Sequence, residues 1–250
     1  MSWFLLMPII FASSLVLTMV GLGGGLIFSP LFVLLSFPVS TAVSASLFLN
    51  GIAALSAAIT YFRKKMIDVQ VGGPLILASA LAAPLGALTT SRVNIKIFTA
   101  ILAGVIFLAS LRMLFSGKIE AATEEVGTRR RVIGGGAIGL VIGFMAGLLG
   151  IGGGVFIVPL LIYILRVPTK IAAATSIFIV VFSSCSGFIT HASLARADWN
   201  FILVAACFSF AGGQVGSRIM AEKLKGRTVR RLFGIVLLAF AFKLIQRVWW

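Results

Sequence analysis

The sequence predicts an all-α integral membrane protein made of two inverted repeats, each a broken or re-entrant helical hairpin followed by three transmembrane helices. Three observations carry this. The 250-residue chain is 60% hydrophobic and only 11% charged, with a mean hydropathy of +1.15. It holds many apolar runs of about 20 residues, enough to cross a ~30 Å hydrocarbon layer. A glycine-rich interruption occurs twice. And the basic residues separate onto two sides only when the halves are inverted.

The repeated stretch is Gly21-Leu22-Gly23-Gly24-Gly25, followed by Pro30, and again Gly150-Ile151-Gly152-Gly153-Gly154, followed by Pro159. Each copy sets helix-breaking residues inside an apolar segment. Glycine costs about 1 kcal/mol and proline about 3 kcal/mol against alanine within a helix. A backbone broken inside lipid must be received by protein or by a watery cavity. Paired interruptions at matching places in two halves are a sequence pointer to a binding site near the midplane.

In order, residues 3–20 form an apolar helix containing Pro8, then the break at 21–25 and a short piece over 26–36. Phe37-Pro38 starts the next helix, with proline near the first turn, where its missing N–H does no harm. That helix runs over 39–62 to Arg63-Lys64-Lys65. Spans follow at 70–90, with Pro74 and Pro84, and at 95–115. The hydrophilic stretch 116–131 links a first half, 1–115, to a second, 132–250. The second half opens with a helix over 132–149, a break over 150–154 and a short piece over 155–165. Val167-Pro168 parallels Phe37-Pro38. In the same register Ala42 matches Ala172, Ser46 matches Ser176, Asp68 matches Asp198 and Gly104 matches Gly234. The repeat therefore covers nearly the whole chain.

Short cytoplasmic loops are enriched in Lys and Arg, and this chooses the topology. If each half crossed four times, the 21 basic residues would divide 11 to 10. With a hairpin that returns to its own side and three further crossings, the division is 16 to 5. Arg92, Lys96, Arg196, Lys243 and Arg247 lie outside, and the rest, including those of the 116–131 linker, lie in the cytoplasm. Length agrees: residues 3–36 number 34, short of the ~40 that two full spans need. The two glycine turns would approach one another from opposite sides near the midplane.

The formal charge of +15 would suggest nucleic acid in a soluble chain. Here the basic residues sit at span ends and orient the protein, so nucleic acid is excluded as a partner. Cys185 and Cys207 fall inside spans and read as packed thiols without a disulfide. No Lys or Arg precedes the first apolar run, so residues 1–20 read as part of the mature protein.

An anion needs donors and positive potential. Half-helix N-termini offer both, since their N–H groups are unpaired and the helix dipole favours negative charge. Gly23, Gly24, Gly25, Gly152, Gly153 and Gly154 are thus candidate substrate-binding residues; the alternative is close helix packing by small residues. Ser46 and Asn50, one helical turn apart, and Thr175 and Ser176 on the counterpart helix are candidate hydrogen-bonding groups. Hydroxyls bonded to their own helix are the competing reading. His191, the sole histidine, is a candidate coupling residue because imidazole titrates near neutral pH; an interfacial role is the alternative. Asp68 and Asp198 read as helix caps or partners of a nearby Arg. Gln214, at the position of Pro84, either lines a pathway or bonds a neighbouring helix. There is no metal site, no acid/base pair within the membrane, no nucleotide-binding motif, and no cofactor is expected.

At the two Gly-x-Gly-Gly-Gly…Pro stretches the chain resembles the sulfite exporter TauE/SafE family of membrane transporters. The segments Ala-x-x-Ala-Ser-Leu-Phe over 42–48 and Ala-Ala-Ala-Thr-Ser-Ile-Phe over 172–178 fit as well, as do Asp68 and Asp198. The resemblance covers roughly residues 5–115 and 132–248. It implies a secondary transporter in a bacterial inner membrane that moves small sulfur-containing anions such as sulfite or organic sulfonates. The expected partners are that anion and the bilayer, with a homodimer left open. A membrane assembly or scaffold protein without transport is the alternative.

The charge count generates a test. A thiol-specific, membrane-impermeant label should reach a cysteine placed at Glu124, in a background lacking Cys185 and Cys207, only from the cytoplasmic face. Labelling in intact cells would reverse the orientation.

Overall fold

The computed structural model describes residues 3–35, 37–89, 95–115, 128–149, 154–190 and 199–249. Ten helices form among them: α1 Trp3–Val20, α2 Gly25–Leu34, α3 Val39–Arg63, α4 Val69–Thr89, α5 Ile95–Phe115, α6 Thr128–Leu149, α7 Gly154–Tyr163, α8 Thr169–Thr190, α9 Trp199–Glu222 and α10 Gly226–Trp249. The described chain is all-α. Helix boundaries follow the punctuation in the sequence. α1 stops at Gly21, and α2 begins at Gly25 after a non-helical stretch of four residues. Pro38 caps α3 with its carbonyl, which accepts from Ala42 N at 2.8 Å. Of the expected linker, Thr128–Arg131 already belong to α6, and 116–127 lie outside the described residues. Within α3, α8 and α9, the stretches Thr41–Arg63, Thr169–Ile189 and Asn200–Glu222 are long and apolar enough to cross a membrane. α2 and α7 have 10 residues each, or about 15 Å at 1.5 Å per residue, half a bilayer.

The helices pack by exchanging partners. α1, of the first half, lies on α9 of the second, and α6, of the second half, lies on α4 of the first. Small residues allow this. Along α6, Gly135, Gly139 and Gly143 recur every four residues, on one face of the helix. Each meets a backbone carbonyl of α4, those of Val71, Leu75 and Ser79 in turn. Both series rise together, so α4 and α6 run parallel. On α9, Gly212 and Gly216 meet the carbonyls of Phe11 and Leu15 on α1, and Gly213 meets that of Ala53 on α3. These pairs are parallel too. In membranes, small residues let backbones approach this closely.

α3 and α8, which correspond in the repeat, cross in opposite directions. Leu47 meets Gly187, the Phe48 and Phe188 rings lie 5.3 Å apart, and Asn50 meets Ser184. As residue numbers rise on one helix they fall on the other.

A polar seam ties α1, α3 and α9 together. Ser14 and Ser209 hydroxyls are 2.9 Å apart, and Ser209 donates to the Leu49 carbonyl at 2.9 Å. The buried Tyr61 hydroxyl donates to the Thr18 carbonyl at 2.9 Å. Further along, Gln214 lies against Ser56, Thr60 and Arg218. With its nitrogen toward Ser56, its oxygen accepts from Thr60 and Arg218, both at 3.2 Å; amide orientation is assigned from such a network. Gln214 thus bonds a neighbouring helix. At the far end Lys64 pairs with Glu222 at 2.9 Å, with both side chains half exposed, so this pair adds little.

Cys185 and Cys207 are free and exposed on the outer faces of α8 and α9, not packed as expected. Helices apolar nearly all round leave the sequence no stripe from which to tell an inward thiol from an outward one.

The glycine contacts generate a test. A side chain at Gly143 would collide with the Ser79 carbonyl, whereas one at Gly136 meets nothing within 4 Å. Gly143→Val should sharply reduce the yield of folded, monodisperse protein, with a cost in the ~1–3 kcal/mol range of overpacking. Gly136→Val should elute and melt like the parent.

Candidate functional site

The first interruption is assembled from the residues upward. Gly21 and Gly23 hold φ of +90° and +69°, a region that costs other residues about 1–2 kcal/mol. They turn the chain out of α1 and into α2. The turn needs room as well as freedom. A side chain at Gly21 would lie 2.8 Å from the backbone of Ala173 on α8, and one at Gly23 would run into the Asn50 side-chain oxygen. The Gly21 carbonyl, left without a helical partner, accepts from the Ser176 hydroxyl at 2.7 Å. Residues Gly21–Gly24 are buried. The break is therefore enclosed by protein, as a non-helical backbone at membrane depth must be.

Gly24 is the N-cap of α2 and has no side chain to cap it. By the geometry of a helix start, the N–H groups of Gly24, Gly25 and Leu26 have no acceptor within the helix, and the positive end of the α2 dipole lies there. The second interruption is described from Gly154 onward. A side chain at Gly154 would come 3.7 Å from the Leu22 carbonyl of the first break and 3.2 Å from one methyl of Val180; a side chain at Gly23 would meet the other methyl of Val180 at 3.0 Å. Val180, on α8 and buried, thus stands between the two breaks and touches both.

The expected site residues distribute as follows. Gly23, Gly24, Gly154, Asn50 and Ser176 come together. The Asn50 amide nitrogen donates to the Ser184 hydroxyl at 2.7 Å, which joins α3 to α8 beside Gly23. Ser46 is buried on α3 one turn before Asn50. Gly25 begins α2. Thr175 turns away from the breaks: its hydroxyl accepts from the Asp68 N–H at 2.9 Å and so supports the start of α4. Asp68 is both cap and ion-pair partner. Its carboxylate accepts from Val71 N at 3.3 Å and pairs with Arg131 at 3.3 Å. Gly152, Gly153, His191 and Asp198 lie outside the described residues.

Two contributors carry no mark in the sequence. Val180 is one valine in an apolar run. Ser184 is one of several serines, and only its opposition to Asn50 singles it out. The α6 glycine stripe did carry a signal, the four-residue spacing of Gly135, Gly139 and Gly143.

Two short helices, one entered through the buried turn Gly21–Gly24 and one starting at the buried Gly154, with Val180 against Gly23 and Gly154, are the pattern of a broken-helix membrane protein of the kind that carries solutes. The chain belongs to the sulfite exporter TauE/SafE family, whose model matches residues 6–244. It is therefore a membrane transporter and not an enzyme. It is 27% identical to the probable membrane transporter protein YunE of Bacillus subtilis over 98% of both chains. It is 30% identical to a probable membrane transporter protein of Xylella fastidiosa, over 84% of this chain and 78% of the relative. Identity to YdhB of Bacillus subtilis, also a probable membrane transporter protein, is 23% over 86% and 89%. No solved structure matches the chain.

The crowding of Gly23 against Asn50 generates a double-mutant test. Gly23→Ala should lower the melting temperature of the purified protein. Part of that loss should be recovered when Asn50→Ala makes room, with a coupling of roughly 0.5–3 kcal/mol as for residues in contact. Strict additivity would mean that the two do not touch.

Proposed function

We propose that the chain is a secondary transporter, in the exporting direction, of small sulfur-containing anions such as sulfite or short organic sulfonates. It works by alternating access around the paired glycine breaks, in a bacterial inner membrane that it crosses several times. The observation that carries this reading is Val180, with one methyl toward Gly23 and the other toward Gly154. The turn that leads into α2 and the first residue of α7 lie on either side of it. α2 starts there on an N-cap glycine without a side-chain cap, and the amides and positive dipole of a helix start are a way to hold an anion without a buried cation. Gly152, Gly153 and Ser46 belong to the proposed site by their place in the repeat.

Three features support the inverted arrangement. The basic residues divide 16 to 5. The equivalent helices α3 and α8 cross in opposite directions. And α1 on α9 mirrors α6 on α4. Two structures related by such an axis can exchange conformations, so that a fixed site opens first to one side and then to the other. The choice of sulfur anions rests on the family description and on the chemistry of the site: a tetrahedral or pyramidal oxyanion can accept from several backbone N–H groups at once.

Proteoliposomes containing only this protein should move at least one of sulfite, sulfate, thiosulfate or a short alkyl sulfonate. Flux should fall at least tenfold in Gly23→Ala and Val180→Phe proteins that still reconstitute. Bulky replacements at Gly24 or Gly153 should abolish it. Equal flux in all of these variants would remove the glycine breaks from the transport path, and an assembly role without transport predicts no flux of any tested anion.

A further inference from the structure

Two matching halves should make each contact twice, and one pair of equivalent seams departs from that. α1 on α9 and α6 on α4 agree. Ser14 matches Gly143 and Ser209 matches Ser79 in the repeat, and Ser14 meets Ser209 as Gly143 meets the Ser79 backbone. α3 on α9 and α8 on α4 do not agree. α9 follows α3 from Leu49, whose carbonyl accepts from Ser209, past Ala53, whose carbonyl Gly213 meets. It continues past Ser56, which donates to the Phe210 carbonyl at 2.8 Å, to Lys64, paired with Glu222.

The contacts of α4 with α8 gather instead at the start of α4. Thr175 accepts from the Asp68 N–H, and a side chain at Gly72 would meet Thr175 at 3.4 Å and Phe178 at 3.6 Å. Altogether α8 packs on α4 far less extensively than α3 does on α9. Ala53 and Ser56 are wholly buried, but Ser183 and Ser186, which match them, are exposed. Ser209 is wholly buried. Ser79, which matches it, is partly buried and turns its hydroxyl back to the Ile76 carbonyl of its own helix at 2.9 Å. Ser183 likewise donates to Val180 of its own helix at 3.2 Å.

Packed helices switch between discrete arrangements rather than deforming smoothly, and inverted halves can trade conformations. We propose that this structure is one member of an exchangeable pair. In the other, α4, carried with α6 along their glycine seam, closes onto α8, while α9, carried with α1, leaves α3. Ser79 then donates to the Ile179 carbonyl as Ser209 now does to that of Leu49; Ser183 and Ser186 are covered, and Ser56 and Thr60 are laid bare. α7 follows α6 in the chain, so the same swing moves Gly154 against Val180 and couples the seam to the breaks. The uncovered part of α8 lies toward its C-terminal end, the outer one by the division of basic residues, so this member faces outward. Gln214 sets the balance. It bonds α3, whereas Pro84 at its matching place has no amide to offer α8, so the exchanged seam lacks a hydrogen bond that this one has. The inference deepens the alternating-access reading and rests on its inverted arrangement.

Spin labels on the full-length chain in liposomes test it, in a background lacking Cys185 and Cys207. One pair of labels replaces Lys64 and Glu222 and the other Ala80 and Ser186, all exposed positions; Ala80 and Ser186 match Phe210 and Ser56 in the repeat. Each pair should show a short and a long distance, the short one prevailing for the first pair and the long one for the second. Ser56→Ala combined with Gln214→Ala should raise the long population of the first pair and the short population of the second together, by about fivefold, the worth of one hydrogen bond. Either single variant serves if the double one does not reconstitute. A single unchanging distance in either pair, or opening of the first without closing of the second, would overturn the exchange. The readout needs no flux. A chain that moves anions while its distances stay fixed loses this inference alone, and one that exchanges but moves no tested anion loses the transport reading alone.

Discussion

A chain that stops being helical in a hydrocarbon layer must give its freed carbonyls and amides to something, and that requirement organises this molecule. At Gly21 the freed carbonyl goes to Ser176 of α8. Asn50 and Ser184, bonded to each other, wall the turn from the side. For α8 to reach a break that belongs to the first half, the two halves must interlock. The antiparallel crossing of α3 and α8 and the exchange of α1 and α6 between halves both follow from that.

The glycines divide into two groups that do different work. Gly21 and Gly23 supply a backbone conformation. Gly135, Gly139, Gly143, Gly212, Gly213 and Gly216 supply absence, since each lets a neighbouring carbonyl come where a methyl group would stand. Close helix packing, weighed at the sequence level as the competing account of the breaks, is the right account of glycine in α6 and α9. The two breaks combine both kinds, left-handed backbone at Gly21 and Gly23 and close approach at Gly154.

Helix positions were largely legible in the sequence, because glycine, proline and clustered Lys and Arg punctuate the apolar runs and because a duplication lets each half check the other. The start of α6 was missed by four residues, since Thr128–Arg131 look like polar linker yet fit a helix's first turn. Facing was not legible. A helix that is apolar on every side shows no stripe, so Cys185 and Cys207 turned out to be exposed, and Val180 gave no sign of its place between the breaks. Of the candidate hydroxyls, Ser176 and Thr175 are adjacent in sequence but point to different tasks. A step of one residue rotates a side chain by about 100° around a helix of 3.6 residues per turn.

The exchange of partners also sets an order of events during synthesis. α6 follows α4 after a short interval, and the two can zip along their glycine seam soon after both enter the bilayer. α1 has no such neighbour in its own half. The surface it is built to cover, on α9, begins at Trp199, so at ~5–20 residues per second the first helix waits about 10–40 s for it. During that wait its serines and the open turn at Gly21 face lipid or the insertion machinery, which makes the nascent first hairpin the stage at which this chain most needs a chaperoned site in the membrane.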